Sequence, residues 1–238
     1  MKLRVLTHAE RDLRDTMPQI WPEFITMDEV VSGFWPRLYD EYADFQLWVV
    51  DGKETVAYAS TLPVRYDGLP DPRGLCWAVS RGVEGEPTTL CAVVAGVVPQ
   101  YRGKGVAAVL LRRMAGLAAA HGLDSLIAPV RPTWKERYPL IPIESYARWT
   151  RDDGLPFDPW LRVHARLGAE LLVVCPESMR VEGAREDWEA WTEMRFPEDG
   201  DYVVPGALVP VRFSEGRGTY VEPNVWMRHR VSAAAEAA

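Results

Sequence analysis

The chain is 238 residues long, 47% hydrophobic and 26% charged, enough for a folded core and too apolar for a disordered segment. A net charge of -7 argues against a general nucleic-acid footprint, and no run of about 18 apolar residues is present to span a membrane. Cys76, Cys91 and Cys175 are widely spaced and odd in number, so they offer neither a zinc spacing nor a disulfide framework and fit a reducing cytoplasm.

Residues 2–6 alternate and predict a first strand. Thr7 and Glu10 are spaced as a capping box for a helix over 9–17. The N-terminus has no long apolar core, so no signal peptide is expected. Residues 27–42 predict a second helix with Val30, Val31, Phe34, Leu38 and Tyr42 on one face and a kink at Pro36. Trp21, Phe24, Phe34 and Trp35 gather around it; ten tryptophans in the chain is a high count, and some are expected to line a pocket. Residues 45–50 and 54–62 flank Asp51-Gly52-Lys53, which signals a hairpin. A turn-rich connection over 63–71 leads to a short helix within 73–84 that carries Trp77, ended by Gly85-Glu86-Pro87. Residues 88–98 then predict a central strand whose small and apolar side chains suit burial on both faces.

That strand runs into Val97-Val98-Pro99-Gln100-Tyr101-Arg102-Gly103-Lys104-Gly105-Val106-Ala107. Beyond it, Val106, Val109, Leu110, Met114, Leu117 and Ala118 share one helix face, closed by Gly122. Strand, tight glycine loop and helix in that order make an anion site. The first turn of a helix leaves N–H groups unpaired at the positive end of the macrodipole. Gly103 and Gly105 lack a Cβ, so an anion can reach those groups, and Arg102 and Lys104 add charge. The expected ligand is a phosphate or pyrophosphate. No Ser or Thr follows Lys104 as a P-loop requires, and Ala108 stands where the dinucleotide pattern has its third glycine.

Residues 125–130 predict a short strand, and 131–143 an irregular stretch of prolines, charges and aromatics of the kind that is often functional. A short helix over 143–149 and a turn over 152–154 follow. Asp158 as N-cap and Pro159 at the first helical position open a helix over 160–167 that ends at Gly168, with a strand over 169–175 behind it. Residues 182–192, with Trp188 and Trp191, look helical, and 200–213 and 218–230 look like two extended segments joined through 214–217. The tail at 232–238 is alanine-rich and expected to fray.

Gln100-x-x-Gly103-x-Gly105, preceded by Val97-Val98-Pro99 and followed by a long helix, resembles motif A of the GNAT superfamily of N-acetyltransferases, whose signature is [QR]-x-x-G-x-[GA]. The helix and strand at 158–175 are similar to that family's motif B, except that His164 stands where the family usually has tyrosine, four residues before Gly168. The resemblance covers 1–175. It implies an α/β (α+β) fold with a mixed, mostly antiparallel central sheet flanked by helices. An acyl-CoA-binding domain over 1–175 and a C-terminal extension over 176–238 packed on it are expected.

The resemblance further implies acetyl-CoA or another acyl-CoA as co-substrate, with no metal, and a small-molecule amine as acceptor. Neither nucleic acid nor membrane is an expected partner, and the oligomeric state is open. The CoA pyrophosphate is expected on the amides of Arg102, Gly103, Lys104, Gly105, Val106 and Ala107, behind Gln100, and the pantetheine arm on the backbone of Val97 and Val98 as an added strand. Direct attack of an amine on a thioester needs a base, a donor to the thioester oxygen and an acid for the thiolate. In the family the motif B tyrosine often serves as that acid; here His164 is expected to do so as an imidazolium. Some families carry a carboxylate base on the central strand, but this strand offers Thr88, Thr89 and Cys91. Glu84, Glu136 and Glu144 lie nearby in sequence, an ordered water is the alternative base, and Cys91 reads as a small buried hydrophobe. Trp134, Lys135, Arg137, Tyr138 and Tyr146 suggest a flat, apolar or anionic acceptor. Three functions fit: N-acyl transfer, an altered domain that binds or senses acyl-CoA, and the same fold used for transfer to a carrier protein or thioester decarboxylation.

Overall fold

The central strand pairs tightly on one side and barely on the other, and this asymmetry shapes the molecule. The computed structural model describes residues 1–231; the alanine-rich tail at 232–238 lies outside them. Strands β1 (Leu3–Thr7), β2 (Gln46–Asp51), β3 (Glu54–Val64) and β4 (Thr89–Val97) run antiparallel in that order. Strand β5 (Ser125–Val130) joins β4 in parallel. Next to β5 lies β9 (Arg217–Arg230), antiparallel to it and also paired with β6 (Glu170–Ala184) and β8 (Val211–Ser214), while β7 (Gly200–Tyr202) closes the order. The nine-stranded sheet is thus mixed and mostly antiparallel, as expected. Residue 175 lies inside β6, so the expected 175/176 division falls within one strand, and β9 lies inside the sheet beside β5.

The helices cover both faces. On one side α1 (Glu29–Asp40), α2 (Gly74–Ser80) and α6 (Arg185–Thr192) pack over Trp48, Leu62, Trp188 and Trp226. On the other, α3 (Val106–Ala120), α4 (Ile143–Tyr146) and α5 (Pro159–Arg166) pack over Leu110, Met114, Leu126 and Met227. The period of two explains the division: Trp226 points to the first core while its neighbours Val225 and Met227 point to the second. On α3 the buried stripe is Val106, Leu110, Leu111, Met114, Leu117 and Ala118, so Leu111 takes the place expected of Val109.

Two helix starts are held by buried aspartates. Asp28 caps α1 by accepting from the Val31 amide at 2.8 Å, and its other oxygen accepts from the Arg180 amide of β6 at 2.7 Å. Asp158 caps α5 as predicted, accepting from the Trp160 and Leu161 amides. The expected helix over 9–17 does not form. The Thr7 and Glu10 contacts are made, with the Thr7 amide 2.7 Å from Glu10 Oε2. Asp12 then captures the Arg14 amide at 2.9 Å, which competes with helix continuation and leaves a single 3-10 turn at Arg14–Thr16. Residues 182–184 also differ from expectation, ending β6 before α6 begins.

Candidate active site

Strands β4 and β5 are paired through Leu90↔Leu126 and Cys91↔Ile127, and then they part. The break has a local cause. The β3 partner of β4 shifts from Ser60↔Val94 to Thr61↔Ala92, so Val93 is an extra residue, and such a bulge bends its strand. Past Cys91 the β5-facing edge of β4 therefore has no strand partner. A cavity of about 380 Å³ fills the gap. Residues 92–95 of β4 and Pro129 and Val130 of β5 form its walls, with Trp21, Trp35 and Tyr58 on one side and Trp160 and His164 on the other.

The glycine loop continues β4 away from this cavity. Gly103 and Gly105 have φ of 74° and 81°, the left-handed region that favours glycine. Apart from the adjoining residues, no atom of the described residues lies within 4 Å of where a Cβ would stand on either. Among the described residues, none accepts a hydrogen bond from the amides of Gly103, Lys104, Gly105, Val106 or Ala107. The loop is thus an open cradle of donors at the start of α3. It is pinned from outside: Tyr101 donates its hydroxyl to Glu54 Oε2 at 2.9 Å, and Gln100 reaches the same carboxylate at 3.4 Å. The backbone of Val97 and Val98, expected to meet the pantetheine arm, already carries several hydrogen bonds. The Val98 amide donates to the Val56 carbonyl and its own carbonyl accepts from Tyr101, while the Val97 carbonyl accepts from Arg102 Nε at 3.1 Å.

His164 sits on α5, buried, with Nδ1 2.9 Å from Nε2 of the buried His229 on β9. Burial and then the neighbouring His229 push its pKa down to about 3, so the imidazolium acid expected from sequence is replaced by a neutral ring at physiological pH. Burial lowers the pKa of His229, and the Leu167 backbone opposes this. With its proton on Nδ1, His229 offers Nε2 as the acceptor for His164 Nδ1. In that tautomer His164 Nε2 carries a lone pair, and among the described residues it is buried without a partner.

A hydroxyl donor faces the same cavity. Tyr58 accepts from Trp21 Nε1 at 2.8 Å, and among the described residues nothing accepts its own proton. Burial raises its pKa to about 12, so it stays a phenol at neutral pH. Two charged side chains complete the lining. Arg131, just past β5, donates from Nε to Glu222 Oε2 at 2.9 Å and from Nη2 to the Gly206 carbonyl. Glu222 also accepts from the Tyr220 hydroxyl at 2.9 Å and from Asn224 Nδ2 at 3.2 Å. Sequence reasoning missed Tyr220, Glu222 and Asn224 because they lie on β9, beyond the motifs. A signal was present: Tyr220, Glu222 and Asn224 alternate on one face of β9, directly before its apolar run Val225-Trp226-Met227.

Trp134, Tyr138 and Tyr146 are placed elsewhere. None of them lines the cavity. Tyr138, Tyr146, Trp149 and Phe157 pack against one another in tilted and edge-to-face pairs with ring centroids 5.0–6.2 Å apart, and Trp134 joins at Phe157. Lys135 is fully buried and donates Nζ to the Tyr138 and Leu208 carbonyls, so its charge is turned into the fold, while Arg137 is exposed and lies over the Trp134 ring. Glu84, Glu136 and Glu144 are exposed and do not line the cavity. Burial pushes the Cys91 thiol up, which suits a packing residue. Among the described residues, no group of three His, Cys, Asp or Glu could hold a metal ion. No helix among them is long and apolar enough to cross a membrane.

The parted strand pair thus opens on a cavity and leads on into a donor-lined loop, an arrangement that suits an extended ligand with an anionic end. No family model matches the chain. The arginine N-acetyltransferase avaD of Aspergillus versicolor is 30% identical over 257 aligned positions, covering 92% of this chain and 88% of that protein. Among solved structures, the loading GNATL domain of CurA from Lyngbya majuscula superposes with a TM-score of 0.64 at 18% identity, covering 97% of each chain. The GphF GNAT-like decarboxylase in complex with isobutyryl-CoA superposes with a TM-score of 0.60 at 15% identity, covering 98% of this chain and 100% of that one. The chain belongs to the GNAT superfamily of N-acetyltransferases. It is an enzyme that transfers an acyl group from acyl-CoA to the amine of a small molecule.

Proposed function

We propose that the acceptor is a cationic, arginine-like amine seated in the cavity between β4 and β5, with acetyl-CoA as donor. The observation that carries this reading is Glu222, a buried carboxylate that lines a mostly apolar cavity, is paired on one oxygen with Arg131, and adjoins the free edge of β4. A cation enters such a cavity at acceptable cost where a carboxylate receives it. The acceptor named for the Aspergillus versicolor relative has this chemistry. The CoA pyrophosphate sits on the amides from Gly103 to Ala107, with Arg102 and Lys104 beside it, and the pantetheine arm lies along β4 behind Val97. Three unpaired cysteines and a CoA substrate fit a cytoplasmic setting.

The chemistry then needs little rearrangement. The attacking nitrogen must be neutral and hold its lone pair toward the thioester. His164 Nε2 accepts a hydrogen bond from that nitrogen and orients it. As the N–C bond forms and the C–S bond breaks, Tyr58, already receiving the Trp21 N–H, gives its proton to the departing sulfur, and the proton shed by the amine passes through water to restore the phenol. A thiol-release assay with acetyl-CoA and a panel of cationic and neutral amines tests the acceptor. Cationic amines are expected to be turned over best, and Glu222→Gln to erase that preference. Equal turnover of neutral isosteres by the unaltered enzyme would contradict the reading.

A further inference from the structure

Trp21 gives Nε1–H to the Tyr58 hydroxyl at 2.8 Å, and both rings line the cavity. Residues far away in sequence hold the tryptophan there. Pro22 follows it, and a proline confines the backbone of the residue before it to extended conformations. Next comes the 3-10 turn Glu23–Met27, whose buried Phe24 packs against Trp188 of α6 and edge-on against Tyr220 of β9, with ring centroids 5.5 and 5.4 Å apart. Gly206 abuts Pro22 so closely that a Cβ on it would stand 2.6 Å from Pro22 Cγ.

The segment at 204–208 is itself tied down by three side chains. Arg131 Nη2 donates to the Gly206 carbonyl, Lys135 Nζ to the Leu208 carbonyl at 2.6 Å, and the Leu208 amide to the Tyr220 hydroxyl at 3.0 Å. Val204, Ala207 and Leu208 are buried, and the Arg131 guanidinium lies 6.0 Å from the Trp21 ring centre. A segment packed in this way transmits a displacement to its neighbours. We propose that Trp21 is a positioning residue for the Tyr58 hydroxyl, and that the segment at 204–208 holds Trp21 in place through the contact of Gly206 with Pro22. This rests on the reading above that Tyr58 gives its proton to the departing sulfur. A phenol rotates about its C–O bond, and a donor fixed on one lone pair leaves its proton fewer directions to point. The same hydrogen bond opposes the rise in pKa that burial causes, so it favours the phenolate formed as the proton leaves.

The test is a set of double-mutant cycles on the full chain, with acetyl-CoA and the amine turned over best in the panel above, both saturating. Trp21→Phe keeps an aromatic ring and removes the N–H. It should lower kcat roughly 3- to 10-fold and leave the KM for acetyl-CoA unchanged. Gly206→Ala, which pushes on Pro22, should act in the same way; where it does not fold, Lys135→Met, which unties Leu208, takes its place. Added to Tyr58→Phe, none of these changes should cost further rate. Unchanged kcat in Trp21→Phe, or an equal loss with and without the Tyr58 hydroxyl, would overturn the positioning role. Full kcat in the segment variant would overturn the hold on Trp21. Full kcat in Tyr58→Phe would overturn the proton donor itself and this proposal with it, whereas a slow Tyr58→Phe beside a fast Trp21→Phe would overturn the proposal alone.

Discussion

Asp158 Oδ2 accepts a hydrogen bond from the Tyr146 hydroxyl at 3.0 Å, while Oδ1 of the same carboxylate caps the helix that carries His164. The Trp134 amide adds a third tie at 2.8 Å. One buried side chain thus fixes the aromatic loop to the start of α5. Asp158→Ala removes a cap and strands a buried hydroxyl and an amide, which together should cost about 2–5 kcal/mol of stability. Asp158→Asn keeps an acceptor oxygen and should recover part of it. Denaturant midpoints check both variants, and an unchanged midpoint in Asp158→Ala would remove the anchor.

His229 is a positioning residue, since it acts through His164 and does not line the cavity. His229→Leu leaves the His164 Nδ1 proton without an acceptor and releases the tautomer. His164→Ala should lower kcat by roughly 10²–10⁴ with acyl-CoA affinity little changed, and His229→Leu should fall in the same direction by less. His229→Gln returns an acceptor and should restore part of the rate. Nitrogen-15 shifts of the His164 ring report the tautomer directly. Protonated Nε2 in the unaltered protein would contradict the assignment.

The same pair sets a pH dependence. The folded pKa of His164 lies near 3, below its ordinary value of 6.5, so below pH 6.5 the unfolded chain binds a proton that the folded chain refuses. His229 is shifted in the same direction. Stability from this source is fully present above pH 6.5 and is lost as pH falls toward 3. Denaturant midpoints between about pH 7 and 4.5 should fall in the natural protein and fall less steeply in His164→Phe. Parallel slopes would show that the ring is not held neutral by the fold.

What sequence made legible follows what local chemistry controls. Asp158 and Pro159 opened a helix as capping geometry requires, and Gly103 and Gly105 marked the loop because only an unhindered backbone can serve as an anion cradle. The acceptor side was hidden because Glu222 and Arg131 are 91 positions apart and meet only once β9 has entered the sheet beside β5. The aromatic loop misled for a related reason. Tyr138, Tyr146 and Trp149 look like a binding surface in a list of residues, yet they satisfy one another. His164 was found by its place before Gly168, but its charge state depends on burial, which no spacing reports.

Gly103 offers a clean separation of binding from folding. A valine there brings a branched Cβ into the approach to the loop amides and strains a backbone at φ of 74°. Loss of two charge-assisted bonds, at about 1.5–3 kcal/mol each, should weaken CoA binding by roughly 10²–10⁴-fold. Leu110, fully buried under the sheet, provides the contrast: Leu110→Ala should cost about 2–5 kcal/mol of stability whatever the ligand. Calorimetric titration with CoA and a denaturant midpoint on each variant separate the effects. Normal CoA affinity in folded Gly103→Val would make the loop a turn without a ligand.

The most direct measurement is the mass of the product. The enzyme is incubated with acetyl-CoA and L-arginine, and the small molecules are resolved by mass spectrometry. The cavity at the parting of β4 and β5, with Glu222 facing the free edge of β4, predicts arginine bearing one acetyl group in step with free CoA. Free CoA released with acetate, and no acetylated amine from arginine or any other amine supplied, would contradict the assignment of that cavity as the acceptor's seat.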